Sequence, residues 1–275
     1  MNIHDKIAVV AGGSAGIGLG TARALLNAGA KHVVLLARGA ERLEAAAADL
    51  RAAGGTVSTY AVDLGKFDSV QEVADQLCTE IGVPHIVVHS AGAGALGGLL
   101  ETDVNNIITH IESTCYAGYF LTKALLPRML QQGSGHLAFV GSPLIHSNLP
   151  MPAYLGSRSA VRSMAQALHF ELSHSPIGVS YVEPSLVHDT DYFETHANSF
   201  SRFPWFVRST ALRPMHQTSD EAGRLVVSAI ERNRRYSGHW AAWLLRVTPF
   251  TRPLFEAFFK RTFLPPEQGG PQLPT

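Results

Sequence analysis

Cysteine is scarce. The 275 residues hold two, Cys78 and Cys115, far apart and in no ligand-like spacing. That argues against a disulfide scaffold and against a zinc site, so no metal is expected. Excess charge is also lacking: 22 Lys and Arg balance 22 Asp and Glu. A nucleic-acid binder shows a basic excess or a basic stripe, and neither is present. No apolar run reaches the roughly 18 residues that cross a bilayer, so no transmembrane span is expected. The chain opens with MNIHDKIAVV, which runs straight into a strand pattern without a signal peptide. A reducing, cytoplasmic location is the default. There is no internal repeat. Low complexity is confined to the Pro- and Gly-rich tail, 266–275, which is expected to fray.

What is present is an alternation. Short β-branched apolar runs start at Ile7, His32, Val57, His85, His136 and Gly178. Helical patterns follow Gly16, start near Glu41, and cover 69–81, 104–130 and 154–173. Near-continuous apolar strands separated by helices indicate a parallel sheet covered on both faces. Right-handed crossovers then give an α/β, doubly wound, Rossmann-type fold, here one domain over 1–265. Its binding crevice lies at the carboxyl ends of the strands, so functional residues are sought just after each one.

The first strand runs into Ala11-Gly12-Gly13-Ser14-Ala15-Gly16-Ile17-Gly18 and then a helix. Glycines let backbone N–H groups approach a phosphate with no β-carbon in the way. The helix N-terminus adds partial positive charge at the same point. Strand, turn and helix in this order predict a pyrophosphate site at Gly12, Ser14, Gly16, Ile17 and Gly18. The pattern Gly12-x-x-x-Gly16-Ile17-Gly18 resembles the short-chain dehydrogenase/reductase family, and the likeness of motif order extends over about the first 235 residues.

The second strand ends at Ala37-Arg38. An NAD site places a carboxylate there, whereas a guanidinium suits a 2′-phosphate through its charge and forked donors. NADP(H) is therefore the expected cofactor; the alternative is a solvent-facing Arg at a helix start. Asp63-Leu64 resembles the family's adenine contact, though Asp63 could equally cap a helix. Ser90-Ala91-Gly92 stands where the family reads Asn-Ala-Gly. Pro184 and Thr190, after the sixth strand, resemble its nicotinamide contacts, with Ser185 replacing the usual Gly. In the fourth helical pattern the family's Asn is replaced by Thr114 or Cys115.

Gly141-Ser142-Pro143 ends the fifth strand, and Tyr154 follows Ser142 by twelve residues. The resemblance implies that Ser142 orients a substrate oxygen and that Tyr154 is its acid–base group. The family's Lys, four residues after the Tyr, is here Arg158. Residues four apart share a helix face, so Arg158 should project beside Tyr154. A neighbouring cation favours a phenolate. Arginine keeps the charge but does not deprotonate, so it is no ordinary proton-relay member. Three readings follow. The first is a carbonyl reductase or alcohol dehydrogenase with a rerouted proton path. The second is a non-redox dehydratase, isomerase or cyclase using Tyr154. The third is a non-catalytic nucleotide-binding module. Retention of Ser142, Tyr154 and the glycine turn favours the first.

The segment after the sixth strand, about 186–219, is expected to cover the substrate. It carries Tyr192, Phe193, Phe200, Phe203, Trp205 and Phe206. Such a lid suits a bulky apolar or aromatic substrate, a lipophilic small molecule, and equally suits ordinary packing. Between about 238 and 265, aromatic residues alternate with Arg246, Arg252, Lys260 and Arg261. A basic amphipathic segment of this kind can touch a membrane surface, pack on a partner subunit or roof the pocket. Pro249 and Pro253 favour packing. The resemblance also implies a homodimer or homotetramer.

Overall fold

The structure, a computed structural model, describes residues 1–92, 97–147, 149, 151–190 and 216–240. Its first strand, β1 (Ile7–Ala11), leads into α1 (Gly16–Asn27). Then come β2 (His32–Ala37), α2 (Ala40–Ala52), β3 (Val57–Ala61), α3 (Phe67–Glu80) and β4 (Ile86–His89). The second half adds α4 (Val104–His110), α5 (Ala117–Gln132), β5 (Gly135–Val140), α6 (Pro152–Glu171) and β6 (Ile177–Glu183). After these come β7 (Leu186–Val187), β8 (His216–Gln217), α7 (Ser219–Glu231) and β9 (Tyr236–Gly238).

Seven strands form one parallel sheet in the order β3-β2-β1-β4-β5-β6-β9. The order reverses between β1 and β4, which makes the crevice beyond these two strands the switch point of a doubly wound fold. The expected fold class is the observed one. Alternate side chains of each strand enter opposite layers. Val9 and Ala11 join Val87, Leu121, Leu125 and Phe139 on one face. Ala8 and Val10 join Val33, Leu35, Ile86, Val226 and Ile230 on the other. Each fully buried side chain of this kind contributes roughly 1.5–3 kcal/mol.

Besides the short β7–β8 pair, three features were not foreseen. β9 is too short for an alternation pattern, and exists as a strand because its backbone pairs with β6. α7 starts with a capping box in which Thr218 and Glu221 each bond the other's backbone N–H. Its Gly223 packs so closely on Gly20 of α1 that no β-carbon fits between them. The pattern over 104–130 is not one α-helix: a π-helical turn (Ile111–Tyr116) separates α4 from α5. The aromatic residues expected to form a lid, 192–206, and the basic amphipathic stretch beyond Trp240 lie outside the described residues.

Candidate functional site

Gly12 has φ +79° and Gly16 φ +52°, both in the left-handed region that disfavours other residues. A β-carbon on Gly12 would stand 2.8 Å from the backbone of Ala91. The turn after β1 and the turn after β4 therefore touch at the switch point. A β-carbon on Gly18 would overlap the Gly12 carbonyl, so the glycine fixes how closely α1 folds back on its own turn. The first turn of α1 carries no acidic side chain, and its N-cap, Ala15, makes no side-chain cap bond. Helix N–H groups are thus left facing the crevice, an arrangement that suits a phosphate. Ser14 and Ile17 are half-buried in this turn. A β-carbon on Gly16 would approach Thr190 to 3.1 Å, so the segment after β6 closes against the same turn.

Around this cradle, Arg38 is exposed at the end of β2. Leu64 is buried. The carboxylate of Asp63 accepts the Gly65 N–H at 3.0 Å. α3 begins later, with Lys66 at its N-cap, so Asp63 closes a turn and does not cap the helix. Ser90 donates its backbone N–H to Ala11 at 3.0 Å, tying the β4 turn to the end of β1. Pro184 is buried, and Ser185 donates its N–H to the Gln217 side chain at 2.7 Å. The residues named from the sequence as candidate nucleotide contacts are thus arranged along the carboxyl edge of β1, β2, β3, β4 and β6.

Ser142 caps a 3-10 turn (Pro143–His146) at the end of β5, its Oγ accepting the Leu144 N–H at 3.3 Å. Tyr154 lies in the first turn of α6, buried, with the His110 ring edge-on at 6.4 Å. The Arg158 guanidinium carbon lies 5.7 Å from the centre of the Tyr154 ring. Arg158 Nη1 donates to the Val140 carbonyl at 3.1 Å. A β-carbon on Gly92 would lie 2.5 Å from Arg158 Nη2 and 3.0 Å from Thr114 Oγ1. Thr114 Oγ1 and the Arg158 guanidinium thus both lie against Gly92. Burial pushes the Cys115 thiol upward, away from a reactive thiolate.

Further residues reach this edge that sequence reasoning did not single out. Glu183 is fully buried and accepts Tyr236 Oη–H at 2.7 Å, with His146 Nε2 at 3.1 Å. Tyr181 is a second buried tyrosine. Burial, and then the Glu183 carboxylate, push its hydroxyl well above the ordinary range, so it is no acid–base group near neutrality. No motif spacing announces these contacts, which join β5, β6 and β9 across long sequence separations.

A family model described as short chain dehydrogenase matches residues 6–199. The chain belongs to the short-chain dehydrogenase family. An uncharacterised oxidoreductase of Mycobacterium tuberculosis is 30% identical over 259 residues, covering 90% of this chain and 71% of that one. A metagenomic short-chain oxidoreductase solved with NADP is 30% identical with a TM-score of 0.64, covering 72% of this chain and 91% of that one. A family member from Burkholderia phymatum, solved with NAD, has a TM-score of 0.79 at 24% identity, covering 93% and 96% of the two chains. The chain is thus an oxidoreductase of this family, which includes members solved with NADP and with NAD. No helix among the described residues is long and apolar enough to cross a membrane.

Proposed function

We propose that this protein is an NADPH-dependent carbonyl reductase, or the corresponding alcohol dehydrogenase, acting on a bulky apolar or aromatic substrate. The observation that carries this reading is the position of the Arg158 guanidinium over the Tyr154 ring, 5.7 Å from its centre and one helical turn away. It preserves a cation beside the acid–base tyrosine although the lysine is gone. Gly12, Ser14, Gly16, Ile17 and Gly18 hold the pyrophosphate on the α1 N-terminus. Arg38 supplies the charge and donors for a 2′-phosphate. Asp63 and Leu64 flank the adenine. Ser90, Ala91, Gly92, Pro184 and Thr190 line the nicotinamide half.

When bound, the reduced nicotinamide supplies the two-electron reducing equivalent to the carbonyl carbon. Tyr154 gives its phenolic proton to the carbonyl oxygen. Ser142 Oγ–H orients that oxygen. Arg158 stabilises the negative charge left on Tyr154 and keeps its own protons throughout. The choice of an apolar substrate rests on the aromatic sequence between 192 and 206.

Calorimetric titration with NADPH, and with NADH as control, tests the nucleotide assignment. A screen of apolar ketones followed by NADPH absorbance tests the chemistry. Tight NADPH binding, weak NADH binding and ketone-dependent oxidation are expected. Equal affinity for the two nucleotides would remove the role of Arg38. A nucleotide-bound protein that turns over no ketone or alcohol would overturn the reductase.

A further inference from the structure

Behind Arg158, among the described residues, lies a small cavity of about 10 Å³. Its apolar walls include Ala11, Val140 and Val161, and its polar walls are His89, Thr114 and Arg158. Each of these three residues carries one buried polar atom with no protein partner: His89 Nδ1, Thr114 Oγ1 and Arg158 Nε. Three such atoms around one cavity are unusual, because buried polar groups are nearly always hydrogen-bonded. A cavity of about this volume is at the threshold for one water, and buried waters typically make about three hydrogen bonds.

We infer that this cavity binds a single water molecule, held by His89, Thr114 and Arg158, and that His89 and Thr114 position the Arg158 guanidinium through it. All three protein atoms are then satisfied. Arg158 Nε–H and Thr114 Oγ1–H donate to the water oxygen. The water donates one hydrogen to His89 Nδ1. His89 then carries its own hydrogen on Nε2, which lies 3.1 Å from Thr122 Oγ1. Stacking on Phe139 at 4.5 Å holds the imidazole plane. Burial lowers the His89 pKa to about 3, so the ring stays neutral and keeps this pairing at working pH. The water is a strut and not a proton conduit, since Arg158 does not deprotonate and the far side of His89 ends on Thr122. It fixes the side of the guanidinium that Val140 does not hold, and so sets where the cation meets Tyr154. The π-helical turn around Thr114 supports this, as such turns reorient a side chain within a helix and occur often at functional sites.

The water itself does not depend on the proposed function; only the consequence for nucleotide binding rests on that reading. The test uses the full chain with Thr114→Val and Thr114→Ser. Valine is nearly the same shape without the hydroxyl. If the water is present, valine removes a made hydrogen bond and the melting temperature falls, while serine stays with wild type. If it is not, valine relieves a buried, unpaired hydroxyl and the melting temperature rises. A crystal structure resolving ordered solvent should show one density peak within hydrogen-bond distance of all three atoms. Positioning of Arg158 predicts NADPH affinity about three- to tenfold weaker in Thr114→Val, restored in Thr114→Ser. A higher melting temperature for valine, or no density peak, overturns the water. Equal NADPH affinity in all three proteins overturns the positioning role. If wild type binds no NADPH, the proposed function fails, and the melting comparison and the density still decide the water.

Discussion

Arg158 lies with its guanidinium carbon 5.7 Å from the centre of the Tyr154 ring. Helix geometry puts the two side chains on one face, since residues four apart stand one above the other. Tyr154→Phe should therefore lower ketone reduction by about 10²–10⁴-fold, the usual weight of a positioned acid–base group, and leave NADPH affinity in place. Arg158→Met should also lose turnover, whereas Arg158→Lys should retain or raise it. NADPH absorbance with and without ketone reads both. Unchanged turnover in Tyr154→Phe and Arg158→Met would remove this pair from the chemistry.

Arg38 stands exposed where an NAD-binding relative would carry an acid. Arg38→Gln should weaken NADPH by about ten- to a hundredfold, the worth of one or two charged hydrogen bonds, and leave NADH unchanged. Titration of both nucleotides checks it. A parallel loss for NADH would mean that the residue supports the loop and does not read the phosphate.

Gly20 faces the backbone at Ser219, and an added β-carbon would overlap the Ser219 carbonyl. Gly20→Ala should cost about 1–3 kcal/mol by forcing α1 and α7 apart. At this chain length each kcal/mol lowers the melting temperature by roughly 2–4 °C. Gly156, by contrast, lies within α6 with open space around it. Gly156→Ala should stabilise the chain by about 0.5–1 kcal/mol. Paired melting curves separate the two; equal shifts would contradict the close α1–α7 approach.

Acid should destabilise the protein through two buried rings. Burial lowers the pKa of His89 and of His136 to about 3, from 6.5. Well above pH 6.5 both rings are neutral in either state and contribute no pH dependence. As pH falls below 6.5, the unfolded chain takes up protons that the folded chain refuses, so stability drops until about pH 3. By pH 5 the loss is about 2 kcal/mol for each ring. Urea midpoints at pH 7.5 and pH 5 measure it, and an unchanged midpoint would show that the rings protonate without unfolding.

The sequence alone determined the sheet and its binding edge. Apolar β-branched runs spaced by helical patterns admit few arrangements, and the glycines after β1 mark a turn where backbones pass close together. The Tyr154–Arg158 pair was legible because helix periodicity puts residues four apart on one face. Tertiary structure decided the rest. Asp63 could cap a helix or close a turn, and only the start of α3 at Phe67 settled it. Thr114 and Cys115 are neighbours in sequence, and only the π-helical turn and the packing on Gly92 put Thr114 against Arg158. β9 needs β6 as its partner. His89 reads as one more strand residue, yet its ring is fixed by Phe139, Thr122 and the space behind Arg158. Local periodicity encodes which face a side chain takes, because it depends on near neighbours in the chain. Which polar atoms share a cavity depends on segments far apart in sequence, and no short-range pattern carries that information.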